Sequence, residues 1–194
     1  MSADTPAPGA AGLVYPFPER PAAGEMLEVA PGLHWVRMPI PIPGLDFINL
    51  WAIEDGAGWT LVDTGLRSRA IQDHWETIFA TRFDGRPVTR VICTHFHPDH
   101  LGQAGWLCRR WNVPLWMTLG EWSFGRMLAL DAVETVPEEV IGFYCQHGIG
   151  EDLLEKFRAR GFNNFAKGVT EIPRAFRRIC DGERIEIGGR AFRV

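Results

Sequence analysis

Three runs near the start of the chain, GLHWVRMPIP (32–41), FINLWAIED (47–55) and WTLVDTG (59–65), are rich in β-branched and aromatic residues, with Pro-Gly or Gly-Ala-Gly between them. They predict three successive strands in a meander. The period then changes. Over 67–83 the apolar positions Ile71, Trp75, Ile78, Phe79 and Phe83 fall on one helical face, and Asp84–Gly85 ends the helix. PVTRVICT (87–94) is a short apolar β-run, LGQAGWLCRRW (101–111) is helical, and VPLWMT (113–118) is a further strand. Strand, helix, strand, helix and strand at this spacing imply a layered α/β domain.

The flanks are less regular. Residues 1–25 are rich in Pro, Ala and Gly and read as an extended lead-in to a folded domain over 26–194. From about 120 to 178 the pattern is mostly helical, with a helix start at Pro137–Glu138–Glu139. Trp122, Phe124, Met127, Phe143 and Tyr144 in this stretch suit either a cap over a site or helices packed on the sheet. RIEIGGRAFRV (184–194) predicts a hairpin turning at Gly188–Gly189, its second strand running to Val194.

Composition adds limits. The 194 residues are 46% hydrophobic and 23% charged, enough for one domain with a core of its own. A net charge of −4 gives no electrostatic reason to expect nucleic acid or an anionic membrane as partner. Arg109–Arg110 and Arg174, Arg177 and Arg178 read as solvated helix faces. Cys93, Cys108, Cys145 and Cys180 form no C-x-x-C pair and read as reduced, mostly buried thiols. The start lacks the basic and apolar regions of a signal peptide, and no stretch suits a membrane span. A soluble, cytoplasmic protein acting on a small molecule is the expectation. Nothing in the sequence speaks to oligomeric state.

The chemistry is concentrated in THFHPDH (94–100), which holds three of the six histidines and an aspartate. His95 and His97, two apart at a strand's end, are expected to project to one side. Pro98 turns the chain, and Asp99 and His100 open the next helix. Imidazole and carboxylate donors converging there suit zinc, iron or manganese. Two ions, one on His95 and His97 and one on Asp99 and His100, suit these directions better than a single ion. Crowded imidazoles with no such purpose would repel on protonation. His34, His74 and His147 stand apart and read as structural.

THFHPDH resembles the H-x-H-x-D-H signature of the metallo-β-lactamase fold superfamily, and LVDTG (61–65) is similar to the aspartate turn that precedes it there. The resemblance covers about residues 28–194. It implies an αββα sandwich of the metallo-β-lactamase type and a site for two divalent metal ions, zinc first, with iron or manganese as alternatives. It places His95 and His97 on the first metal and Asp99 and His100 on the second, with Asp99 also orienting the attacking water. Asp63 becomes a buried carboxylate behind the ligands; on its own residue evidence it reads equally well as a turn or N-cap residue.

The implied chemistry is metal-assisted hydrolysis of an ester, thioester or lactone, as in the glyoxalase II and acyl-homoserine lactonase relatives that share the Asp-His pair. A metal-activated hydroxide would attack a polarised carbonyl. A mononuclear iron dioxygenase of the same fold is the alternative, because its first-metal ligands look alike. The family pattern continues with a Gly-His motif and later aspartate and histidine ligands that do not occur before Val194. The sandwich and its site are therefore expected to be incomplete at the C-terminus. A non-catalytic fragment with a partial site is the remaining reading.

Overall fold

A computed structural model describes residues 15–131, 133, 135–162 and 164–194. The first 14 residues of the lead-in lie outside these, and residues 15–25 run without helix or strand. The first strand, β1 (Met26–Ala30), was not distinguished in the sequence. It pairs antiparallel with β2 (Leu33–Pro39), placing Met26 opposite Val36. β2 pairs with β3 (Phe47–Asp55), and β3 with β4 (Gly58–Val62), both antiparallel, as the meander predicts.

Helix α1 (Arg69–Arg82) follows, capped by the Ser68 hydroxyl, which accepts the Ile71 N–H at 3.2 Å. Its face is the predicted one: Ile71, Trp75, Ile78 and Phe79 are buried. Burying each such side chain stabilises by roughly 1.5–3 kcal/mol. That outweighs the roughly 0.5 kcal/mol by which a β-branched or aromatic residue disfavours a helix.

β5 (Val88–Ile92) returns parallel to β4. The short α2 (Pro98–Leu101) and α3 (Ala104–Trp111) lead to β6 (Leu115–Thr118), parallel to β5. Helices α4 (Leu119–Leu130), α5 (Glu138–Gln146), α6 (Glu151–Arg160) and α7 (Phe165–Gly168) come next. The mostly helical reading of 120–178 needs one correction. Phe176–Ile179 is strand β7, hydrogen-bonded parallel to β6. Arg177 and Arg178 therefore lie on a strand, and Arg174 on the bend before it, none of them on a helix face. The sheet context at the β6 edge outweighs the weak local pattern.

The seven strands form one sheet in the order β1-β2-β3-β4-β5-β6-β7. Side-chain alternation gives it two apolar faces. Val36, Met38, Leu50, Leu61, Val91 and Met117 pack in the cluster that includes α1, Leu101 and Leu107. Ile53, Ile92 and Ile179 meet Ile185 and Ile187 from the hairpin of β8 (Arg184–Ile187) and β9 (Arg190–Arg193) in a second cluster. Helices, a mixed sheet and a small second sheet thus form successive layers, the α/β sandwich expected.

The hairpin is tied down by polar contacts as well. Asp55 accepts the Gly188 N–H at 3.1 Å and the Arg90 guanidinium at 2.7 Å, while Arg90 also donates to the Glu186 carbonyl at 3.0 Å. The expectation of mostly buried thiols holds for Cys93 and Cys108; Cys145 and Cys180 are exposed. All four are free. Among the described residues, no helix is long and apolar enough to cross a membrane.

Candidate metal centre

β4, β5 and β6 are parallel, so the segments leaving them open at one edge of the sheet, where α/β folds bind ligands. Val62 is in register with Ile92, and the Asp63 N–H donates to the Ile92 carbonyl at 2.8 Å. The Cys93 N–H donates to the Trp116 carbonyl at 3.0 Å. Asp63, His95, His97, Asp99 and His100 all follow these strand ends.

Asp63 has φ 61°, the left-handed region that aspartate tolerates better than most residues. Its carboxylate points inward and the residue is 4% exposed. Oδ1 accepts the Thr94 N–H at 2.8 Å; Oδ2 accepts the Thr94 hydroxyl at 2.8 Å and stands 2.8 Å from His100 Nδ1. The next residue, Thr64, locks the turn onto α2. Its N–H and hydroxyl donate to the His100 carbonyl at 2.8 and 2.6 Å, and its own carbonyl accepts the Trp75 indole N–H at 2.8 Å. Gly102 lies so close beneath that a Cβ there would sit 2.5 Å from the Gly65 carbonyl oxygen and 2.6 Å from the Arg67 nitrogen.

The route to His95 and His97 differs from the predicted one. β5 ends at Ile92, and residues 94–96 bend, so strand alternation does not align the two imidazoles. The bend is held by Glu121 in the first turn of α4, whose carboxylate accepts the Phe96 N–H at 2.9 Å. The result still brings the rings together. His95 Nε2 and His97 Nδ1 are 3.0 Å apart, His100 Nε2 and Asp99 Oδ2 are 3.5 Å apart, and the His95 and His100 ring centroids are 3.9 Å apart.

The hydrogen-bond network assigns two tautomers. Thr94 has one hydroxyl proton and gives it to Asp63, so it accepts from His95 Nδ1–H at 3.0 Å. His100 donates its own Nδ1–H to Asp63. In both rings Nε2 then carries a lone pair directed into the site. Burial, with the neighbouring His100 and His97 rings, lowers the His95 pKa below the ordinary imidazole value. Burial works in the same direction on His100, but the hydrogen bond to Asp63 and the charges of Asp63 and Asp99 outweigh it and raise that pKa.

The donor set fits a divalent ion by its chemistry: neutral imidazole nitrogens and a carboxylate. Two nitrogens on one tetrahedral zinc stand about 3.3 Å apart, close to the observed His95–His97 separation. The residues form two pairs. Among the described residues, no group of three or more His, Cys, Asp or Glu side chains is placed to hold one ion.

One flank of the site is aromatic. Phe96 meets His97 at 4.7 Å and Phe124 at 4.7 Å, both edge-on, with Phe165 at 6.2 Å. Helix α4 therefore serves both readings offered by the sequence. Phe124 stands beside the site, while Trp122 stacks on Phe176 of the sheet at 4.4 Å. Phe143 and Tyr144 pack with His147 and Phe157. His34 edges onto Trp59 at 5.1 Å, and His147 bonds the Phe143 carbonyl at 2.8 Å, away from the cluster.

Thr64, Thr94 and Glu121 support the site and were not singled out in the sequence. Glu121 had a readable signal, because Thr118–Leu119–Gly120–Glu121 has the T-x-x-E form of a capping box. Thr118 caps α4, but Glu121 reaches the histidine loop instead of its own helix start.

Comparison with known proteins agrees with this layout. A family model described as the metallo-beta-lactamase superfamily matches residues 43–176. A beta-lactamase domain protein from Burkholderia ambifaria is 44% identical with a TM-score of 0.79, over 90% of this chain and 50% of that one. A metallo-beta-lactamase family protein from Thermus thermophilus is 27% identical with a TM-score of 0.65, over 86% of this chain and 52% of that one. The chain thus spans about half the length of each of these two structures. No curated protein matches. With the superfamily's model covering the strand ends, helices and histidine loop described above, the chain belongs to the metallo-beta-lactamase superfamily.

Proposed function

We propose that the protein is a metal-dependent hydrolase of an ester, thioester or lactone in a small-molecule substrate, with no nucleic-acid or membrane partner. His95 and His97 would hold one divalent ion and Asp99 and His100 a second, zinc in preference to iron or manganese. The observation that carries this reading is the double pairing of donor atoms, His95 Nε2 with His97 Nδ1 and Asp99 Oδ2 with His100 Nε2. Superfamily membership supports metal-dependent hydrolysis in general. The four free cysteines support a reducing, cytoplasmic setting.

When bound, a divalent ion supplies Lewis acidity that polarises a carbonyl and makes water a nucleophile near neutral pH. The chain's own groups do the positioning. Asp63 holds His100 directly and His95 through Thr94, fixing a proton on each Nδ1 so that both Nε2 atoms are aimed inward. Asp99 offers a carboxylate oxygen that can accept a hydrogen bond from water and orient its lone pair toward the substrate. Phe96 and Phe124 give one wall an apolar surface suited to an acyl chain.

The test is metal content and turnover of wild type, His97→Ala and Asp99→Ala under nitrogen, on a panel of thioesters, lactones and activated esters. Loss of bound zinc together with at least about a hundredfold loss of rate is expected. Unchanged metal content and turnover in both variants would refute the site. Turnover that requires iron and oxygen would instead favour the dioxygenase chemistry.

A further inference from the structure

Four arginines distant in sequence line one concavity of about 430 Å3: Arg67 beyond β4, Arg109 on α3, Arg126 on α4, and Arg174 just before β7. Three are anchored by the segment that forms its floor. Arg67 Nη1 donates to the carbonyls of Ala166 and Val169, both at 3.3 Å. Arg109 Nη1 donates to that of Glu171 at 3.2 Å, and Arg126 Nη1 to that of Ile172 at 3.2 Å. Each bond spends one nitrogen on the backbone and holds the remaining fork in place. Among the described residues none of the four is paired with a carboxylate. Elsewhere Arg69, Arg86, Arg90, Arg110, Arg158 and Arg177 each have one. The Glu171 side chain is the single carboxylate among the described residues that line the concavity. In a chain with more acids than bases, four guanidinium groups thus line one concavity beside a single carboxylate.

We propose that this concavity binds the phosphate groups of a small molecule, a diphosphate or larger. Planar forks arriving from several directions match the many oxygens of tetrahedral phosphates, whereas a single carboxylate engages only one fork. An adjoining hollow of about 510 Å3 shares Arg67 and Ala166 and adds Arg160 and Lys167, along with Arg158, which is paired with Glu151, so the positive lining is longer than one phosphate. The floor segment also touches the metal centre's helix. Gly168 lies so near α2 that a Cβ would stand 2.8 Å from the Pro98 Cβ, and its carbonyl accepts the Arg67 N–H at 2.9 Å. The proposal does not depend on hydrolysis, because the arginines are separate from the histidine cluster.

The test is calorimetric titration of the full chain with inorganic pyrophosphate, ADP, citrate and a short single-stranded oligonucleotide, at low and high salt. Arg174→Glu reverses a charge that holds no carboxylate among the described residues, and Arg109→Gln keeps a donor for the Glu171 carbonyl. Saturable one-to-one binding of pyrophosphate and ADP is expected. It should weaken at least tenfold in both variants, with unchanged melting temperature. Arg190→Glu, on the hairpin, and His97→Ala should bind as wild type does, which separates the concavity from general charge and from metal. Absence of saturable binding, or equal weakening by Arg190→Glu, would overturn the proposal. Citrate binding as tightly as pyrophosphate would remove the phosphate assignment, and tighter binding of the oligonucleotide would replace the small molecule with nucleic acid.

Discussion

Asp63 Oδ2 stands 2.8 Å from His100 Nδ1, and the same oxygen accepts the Thr94 hydroxyl that in turn meets His95 Nδ1. One buried carboxylate thereby orients two imidazoles that arise from different parts of the loop. Its left-handed backbone is the means, since that conformation turns the side chain under the loop instead of along the strand.

Asp63→Asn should separate orientation from charge. The amide has one accepting oxygen and no charge: set at the Oδ2 position it can still take Thr94 and His100, but its NH2 then faces the Thr94 N–H that Oδ1 accepts in the wild type. Zinc affinity is expected to fall roughly 10–100-fold, as for other outer partners of metal-bound histidines. Competition with a chromogenic chelator measures it. Wild-type affinity in a folded Asp63→Asn would show that Asp63 does not set the ligands.

Gly102→Ala tests the interlock between the Asp63–Gly65 turn and α2. The added methyl would meet three backbone atoms, the Pro98 carbonyl oxygen closest of all, the Gly65 carbonyl oxygen at 2.5 Å and the Arg67 nitrogen at 2.6 Å, none of which can swing aside. A loss of about 1–3 kcal/mol in stability is expected, as for other overpacked sites. Urea denaturation reads it. Wild-type stability would mean that α2 shifts freely, and the site geometry would then be softer than described.

The hairpin's attachment should be acid-sensitive through Asp55. Burial raises the Asp55 pKa, but the Gly188 N–H, the Thr60 and Thr89 hydroxyls and the Arg90 charge outweigh it and leave the pKa below the ordinary 3.8. The folded state therefore favours the ionised form. The stabilisation is complete above the unfolded pKa and is lost as pH falls through the lower folded one. Asp55→Asn should lower the melting temperature at pH 7 and flatten its decline below about pH 4, near the unfolded carboxyl pKa. An identical pH profile in the variant would remove Asp55 from the account.

Much of the helical layer was legible because burial repeats with a simple period. Ile71, Trp75, Ile78 and Phe79 announce one face of α1 whatever they pack against. Strand β7 and the first strand gave no such signal, since both are short edge strands with few buried positions, chosen by the neighbour they pair with. The ligand-type residues of 95–100 were legible as chemistry, but the expected alignment along a strand was not the observed one. The Glu121 carboxylate, 25 residues onward, holds the bend instead.

The sequence by itself determined where ligand-type side chains cluster, the helix faces, and the hairpin at Gly188–Gly189, because these depend on residue type and spacing within one segment. Tertiary structure alone decided what depends on segments meeting. It set Asp63 beneath both His95 and His100, and it gathered Arg67, Arg109, Arg126 and Arg174 into one concavity although the sequence suggested only scattered, solvated charge. The physical reason is common to both. Electrostatic and hydrogen-bonding energies depend on distances of a few ångströms in space, and chain order constrains those distances only between near neighbours.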